Sequence, residues 1–190
     1  MRPNSLEELM PVSLPIRVCI LVALIPTGLA GCAMGPNSSG PLHFPESVGS
    51  ACGPYSAVGT YWTFGDFLEN TGEVRLTIDS VALINPENFI NKANVILPLD
   101  TGYAVAIGDW PLSEVPPELW ERRQDAEGAV VEPGEQVNLL TVVGRSPKSP
   151  AGHADAVEIL YHDSKGERFT VTSKTTLGVA EGKMCVEPAK

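Results

Sequence analysis

The chain has 190 residues, with 13 Lys plus Arg against 23 Asp plus Glu and a formal net charge of −10. That acidity argues against nucleic acid and against anionic lipid headgroups as partners, since both ask for a basic patch. One domain is the expectation at this length, and a two-lobed solute-binding architecture does not fit.

The first element is a leader. Arg17 precedes the apolar run Val18–Ile25, which is shorter than the roughly 20 residues that a membrane-spanning helix needs and is weakened further by Pro26 and Gly28. A basic residue, a short apolar run and small residues before a cut form the pattern of a secretory signal. Leu29-Ala30-Gly31-Cys32 resembles the lipobox of bacterial lipoproteins. The resemblance implies that the Cys32 sulfur receives a diacylglyceryl group, that Cys32 becomes the mature N-terminus, and that the chain is fatty-acylated on the extracytoplasmic face of the cell membrane. A plainer secretory cut near Ala30 is the alternative. Glu7 and Glu8 are unusual in a region that should be basic, and a start at Met10 gives a more ordinary leader.

Processing before Cys32 leaves 159 residues carrying 11 basic and 21 acidic side chains, because Arg2, Arg17, Glu7 and Glu8 depart. Cys19 departs too and Cys32 is acylated, so the remaining thiols are Cys52 and Cys185. Outside the cytoplasm such a pair is expected to form a disulfide. Closing a loop of that length constrains the unfolded chain by roughly 4–5 kcal/mol in the entropy model.

Residues 33–50, rich in Gly, Pro and Ser, read as a tether reaching about 20–25 Å, with the organisation 1–31 leader, 32–51 lipidated tether, 52–190 domain. From Ala57 onward the pattern is β. "TYWTFGDFLEN" ends at an Asn70-Thr71-Gly72 turn, with Trp62, Phe64 and Phe67 assigned to the core. "EVRLTIDSVAL" points Val74, Leu76 and Ile78 inward, slips phase at Asp79-Ser80 as a β-bulge or a bend does, and resumes at Val81 and Leu83. "NVILPL" and "YAVAI" flank a turn at Asp100-Thr101-Gly102. Pro133-Gly134 precedes "EQVNLLTVVGR". "DAVEILYHD" turns in, through Val157, Ile159 and Tyr161, and leads through Asp163–Gly166 into "ERFTVTSKT", with Phe169 and Val171 inward.

About seven strands separated by turn signals predict an all-β, antiparallel sandwich. "LENTGEVRLTIDSVAL", "VEPGEQVNLLTVV" and "AVEILYHDSKGERFTV" together resemble the immunoglobulin-like domains of bacterial envelope lipoproteins. The resemblance implies architecture and leaves function open.

The exception to the β pattern is residues 108–128, "GDWPLSEVPPELWERRQDAEG", where Pro116-Pro117 opens one or two helical turns through Arg123. This insertion holds Trp110, Trp120, Arg122 and Arg123, residue types enriched at interaction hot spots. Its simplest role is to cap an open end of the sandwich with Leu119 and Trp120; its functional role would be a partner site or a pocket wall. His43 in the tether, His153 in a loop and His162 at a strand end lack metal-ligand spacing. Met34 and Met184 are too few for a clustered copper site. Asp100, Asp109 and Glu114 lie near loops without the spacing of a calcium loop, and no metal or cofactor is expected. With no nucleophile in an activating context, the chain reads as a non-enzymatic interaction or envelope-structural module with a protein or glycan partner. The alternative is a small-ligand or metal-binding protein using the insertion.

Overall fold

The computed structural model describes residues 36–37, 40–45, 49–55, 61–99, 102–146, 148–149 and 151–181. Cys32, Cys185, Met10, Met34, Met184 and Asp100 lie outside them. In chain order the elements are β1 (Leu42–His43), β2 (Gly49–Tyr55), β3 (Tyr61–Asn70), β4 (Leu76–Ile84), β5 (Phe89–Pro98), β6 (Ile107–Asp109), α1 (Pro117–Trp120), β7 (Gln124–Asp125), β8 (Val130–Val131), β9 (Gln136–Arg145), β10 (Ala151–Ala154), β11 (Ala156–Asp163), β12 (Arg168–Thr172) and β13 (Thr175–Glu181). The described residues thus hold 13 strands where about seven were expected. The surplus includes β1, β6, β7 and β8, edge pieces of two or three residues, too short to show alternation.

The chain folds as an all-β, largely antiparallel sandwich. One sheet runs β1-β3-β9-β5-β7, with β6 also against β3; the opposing sheet runs β12-β11-β4-β8. A third group, β10-β13-β2, contains the one parallel pairing among the named strands, β13 with β2. Inward side chains from the sheets form the main core: Phe64 and Leu68 on β3, Leu76 and Ile78 on β4, Leu139 on β9, Ile159 and Tyr161 on β11, and Leu177 and Val179 on β13. Each buried aliphatic or aromatic side chain of this kind contributes about 1.5–3 kcal/mol.

The turns follow their sequence chemistry. Gly72 N–H donates to Asn70 Oδ1 at 3.0 Å. Glu135 N–H donates to the Glu132 carbonyl across Pro133-Gly134, with Gly134 at φ 72°. Asp163 Oδ1 accepts the N–H groups of Lys165 and Glu167, and Gly166 sits at φ 82°. Such positive φ values are costly for residues with a Cβ. The phase slip in β4 is a bulge: Leu160 faces Ser80 and Tyr161 faces Ile78, leaving Asp79 as the extra residue.

Three placements correct the expectations. The stretch assigned to a tether contributes to the fold, because Leu42 is 1% exposed in the main core. Its N–H donates to Tyr161 Oη, and a Cβ at Gly40 would fall 2.0 Å from that oxygen. Asn37 forms a parallel bridge to Phe169 on β12. The N-terminal segment therefore crosses from the edge of one sheet, at β12, to the edge of the other, at β3. Phe67 is the second correction: it is 36% exposed while Trp62 and Phe64 are buried, because its position has the opposite parity and strand side chains alternate. The third concerns the histidines, which lie on strands: His43 ends β1 and His153 is on β10.

Candidate functional site

β9 explains where the insertion goes. Its "VNLLTVV" segment is buried along its whole length, so both faces of the strand need cover. Val137, Leu139 and Val143 enter the main core, while Leu140 joins a second cluster with Val95, Leu97, Val105, Val115 and Leu119. Residues 102–123 thus lie across the outer face of the β3–β9–β5 sheet. The expected cap covers a sheet face instead of an open end, because alternation leaves Val95, Leu97 and Leu140 apolar on that outer side. The plug is Leu119, 2% exposed, on the single turn of α1. Pro117 fills its first position and needs no hydrogen-bond partner there.

Around this plug Trp110 and Trp120 meet edge to face with ring centroids 5.4 Å apart. The Arg123 guanidinium lies 4.6 Å from the Trp120 ring, and its Nη1 donates to the Trp120 carbonyl at 2.8 Å. Aromatic pairs and cation–π contacts of this type each contribute about 0.5–1.5 kcal/mol. Both indoles are half-buried and Arg123 is exposed, so the stack is a fixed surface feature. Three of the four residues singled out from the insertion come together. Arg122 lines a different groove with Pro98, Leu99, Glu135 and Gln136.

The strap preceding α1 walls a cleft of about 430 Å3 lined by Trp62, Tyr103, Ile107, Asp109, Leu112 and Glu114. Tyr103 Oη donates to the Glu114 carbonyl at 3.1 Å and closes the strap on itself. Two residues not anticipated as part of the site hold it down. Asn138, 1% exposed, accepts Val105 N–H at 2.8 Å and donates to the Asp66 carbonyl. Gly65 leaves room for the strap backbone, since a Cβ there would meet the Val105 carbonyl oxygen at 1.7 Å. The signal for Asn138 was a lone amide within an apolar strand. Gly65 carried only the weak signal of a strand glycine.

Burial raises Asp66 on β3 to a pKa of about 6, opposed by the Phe67 N–H bonded to its carboxylate. Two of the three histidines each face an aspartate, and His153 does so from a strand, where a loop was expected. His162 Nδ1 lies 2.7 Å from Oδ1 of the bulge residue Asp79. His153 Nε2 lies 2.9 Å from Asp155 Oδ1, and Asn85 Nδ2 donates to Asp155 Oδ2. The Asn85 and His153 hydrogen bonds lower the Asp155 pKa. Asp109 and Glu114 both line the cleft. No group of three or more His, Cys, Asp or Glu side chains among the described residues is placed to hold a metal ion.

No protein-family model matches the chain, and no curated protein matches it. Among solved structures, the chain is similar to the ASH/PapD-like domain 7 of human CEP192, at 11% identity and a TM-score of 0.40, covering 92% of this chain and 98% of that one. It is also similar to the VesB protease of Vibrio cholerae, at 11% identity and a TM-score of 0.36, over 70% of this chain and 30% of that one. For the secreted serine protease VesC of the same organism the values are 8%, 0.31, 68% and 21%. Likenesses this distant carry no argument about activity. No helix among the described residues is long and apolar enough to cross a membrane.

Proposed function

We propose that the protein is a lipid-anchored, extracytoplasmic, non-enzymatic interaction module, attached to the cell membrane through acylated Cys32. The observation that carries the interaction role is the Trp110–Trp120–Arg123 stack, held half-exposed on a second core that fixes its geometry. Ordering such side chains before binding lowers the entropic cost of association. The partner is an envelope protein or glycan. Membrane pull-down with the anchored chain tests this reading when wild type is compared with Trp110→Ala and Arg123→Ala. Loss of one specific partner from both variants, with unchanged thermal unfolding, supports it; retention of every partner contradicts it.

The Cys52–Cys185 disulfide belongs to the same proposal. Gly178 on β13 lies opposite Cys52 on β2, and Glu181 lies opposite Tyr55. Cys52 lies three strand residues, about 10 Å, back from the level of Glu181, which is within the roughly 13 Å that any four residues can span.

A second reading, small-ligand binding, is favoured by the cleft between Trp62 and the strap, where Asp109 and Glu114 supply acceptors beside aromatic surface. Thermal shifts across metals and envelope glycans separate the two readings. A stabilisation by one ligand that Asp109→Asn removes favours the cleft.

A further inference from the structure

We propose that the end of the sandwich bearing the Asp163–Gly166 turn is a membrane-facing surface, held against the bilayer by a link of four residues. The proposal rests on acylation of Cys32. Its starting observation is Asn37, which is already part of the fold: Asn37 N–H donates to the Arg168 carbonyl at 2.9 Å and its carbonyl accepts Thr170 N–H at 2.9 Å. Three residues later the chain passes through the slot at Gly40 and buries Leu42. Four residues, 33–36, therefore separate Cys32 from Asn37, five steps that span about 18 Å at most, in place of a loose eighteen-residue tether.

The direction of the link is set by register. Asn37 runs parallel to β12, so the described chain enters Asn37 from the side of Arg168 and the Asp163–Gly166 turn. At that end Asp163 pairs with Leu76, whereas the far end of the same ladder pairs Ala156 with Ile84. Eight residues of β11 separate the two ends, a distance of about 25 Å. Asn37 sits level with Phe169 and Tyr161, so the link has about 7 Å to cover to the near end and about 17 Å to the far end; it reaches the first with slack and the second only at full extension.

Charge at the near end suits this contact. Arg75, Arg122, Lys165 and Arg168 stand on its turns against Glu73, Glu121, Glu132, Glu135 and Glu167, close to balance in a chain whose net charge is −10. Arg75 and Glu132 already pair at 2.7 Å, and Asp163 is buried in its own turn. The far end carries Glu87 and Asp155 beside Arg145, Lys148 and Lys174, so charge permits the contact at the near end without choosing between the ends. A polar, balanced surface tolerates headgroups without inserting among them, so the anchor supplies the attachment and the fold supplies the orientation.

The test uses the full lipidated chain in phosphatidylcholine vesicles containing headgroup spin-labelled lipid. A fluorophore is placed at Lys165→Cys or at Glu87→Cys, and acylation is verified by intact mass. The label at position 165 is expected to be quenched severalfold more than the label at 87, and a twenty-residue Gly/Ser insertion after Met34 should remove that difference. Equal quenching, or stronger quenching at 87, in acylated protein overturns the orientation while leaving the anchor standing. A difference that survives the insertion overturns the short link as its cause. A mass without acyl groups removes the anchor and the orientation together.

Discussion

Asn70 is a residue whose short side chain joins three segments. It is fully buried, its Nδ2 donates to the carbonyls of Val74 and Val131, and its Oδ1 accepts Gly72 N–H. Asn70→Ala deletes all three bonds and strands buried carbonyls, so urea unfolding should show a loss of about 2–4 kcal/mol with an unchanged m-value. The turn formed by Asn70-Thr71-Gly72 was legible in the sequence; the reach to Val131 was not, because it spans 61 positions. Asp66 makes a pH-dependent counterpart. Its pKa rises from 3.8 to about 6 on folding, so the folded state holds the proton more tightly. The stability it contributes is complete below pH 3.8 and is lost as pH rises through about 6. Asp66→Asn should match wild type at pH 3.5 and exceed it at pH 8, measured by denaturant midpoints. A wild type that is the more stable at pH 8 would reverse the assigned sign.

Among the elements, the β4 bulge and the strap show the two extremes of legibility. The bulge was readable because a change of phase at Asp79-Ser80 leaves a mark in local alternation, and the register confirms it. The strap was misplaced because a cap on an open end and a cover on a sheet face use the same apolar residues; only the doubly buried β9 distinguishes them. Leu119→Ala should cost about 2–5 kcal/mol, in the range for a buried leucine. Trp120→Ala, removing a half-buried ring, should cost less, and thermal unfolding of both variants checks the order. Gly65→Ala tests the strap's seat. The added methyl would collide with the Val105 carbonyl, so hydrogen exchange should quicken at Val105, whose N–H is bonded to Asn138, while β11 amides stay protected.

For the molecule as a whole, the all-β class and the sandwich were legible because turn residues and alternation recur along most of residues 61–172. The start of the fold was not. Gly, Pro and Ser in residues 33–50 look like a linker, yet Gly40 is required by the narrow gap beside Tyr161, and Leu42 fills the core. Composition describes what a segment cannot form alone and misses what a neighbouring sheet edge lets it join. Address and orientation then depend on one assumption, that the mature chain starts at an acylated Cys32. Mass spectrometry of the N-terminal peptide from membrane-extracted protein tests it most directly. The account predicts a peptide beginning at Cys32 and carrying a diacylglyceryl modification, lost together with membrane association in Cys32→Ala. An unmodified peptide, beginning near Gly31 or still carrying the leader, would contradict it.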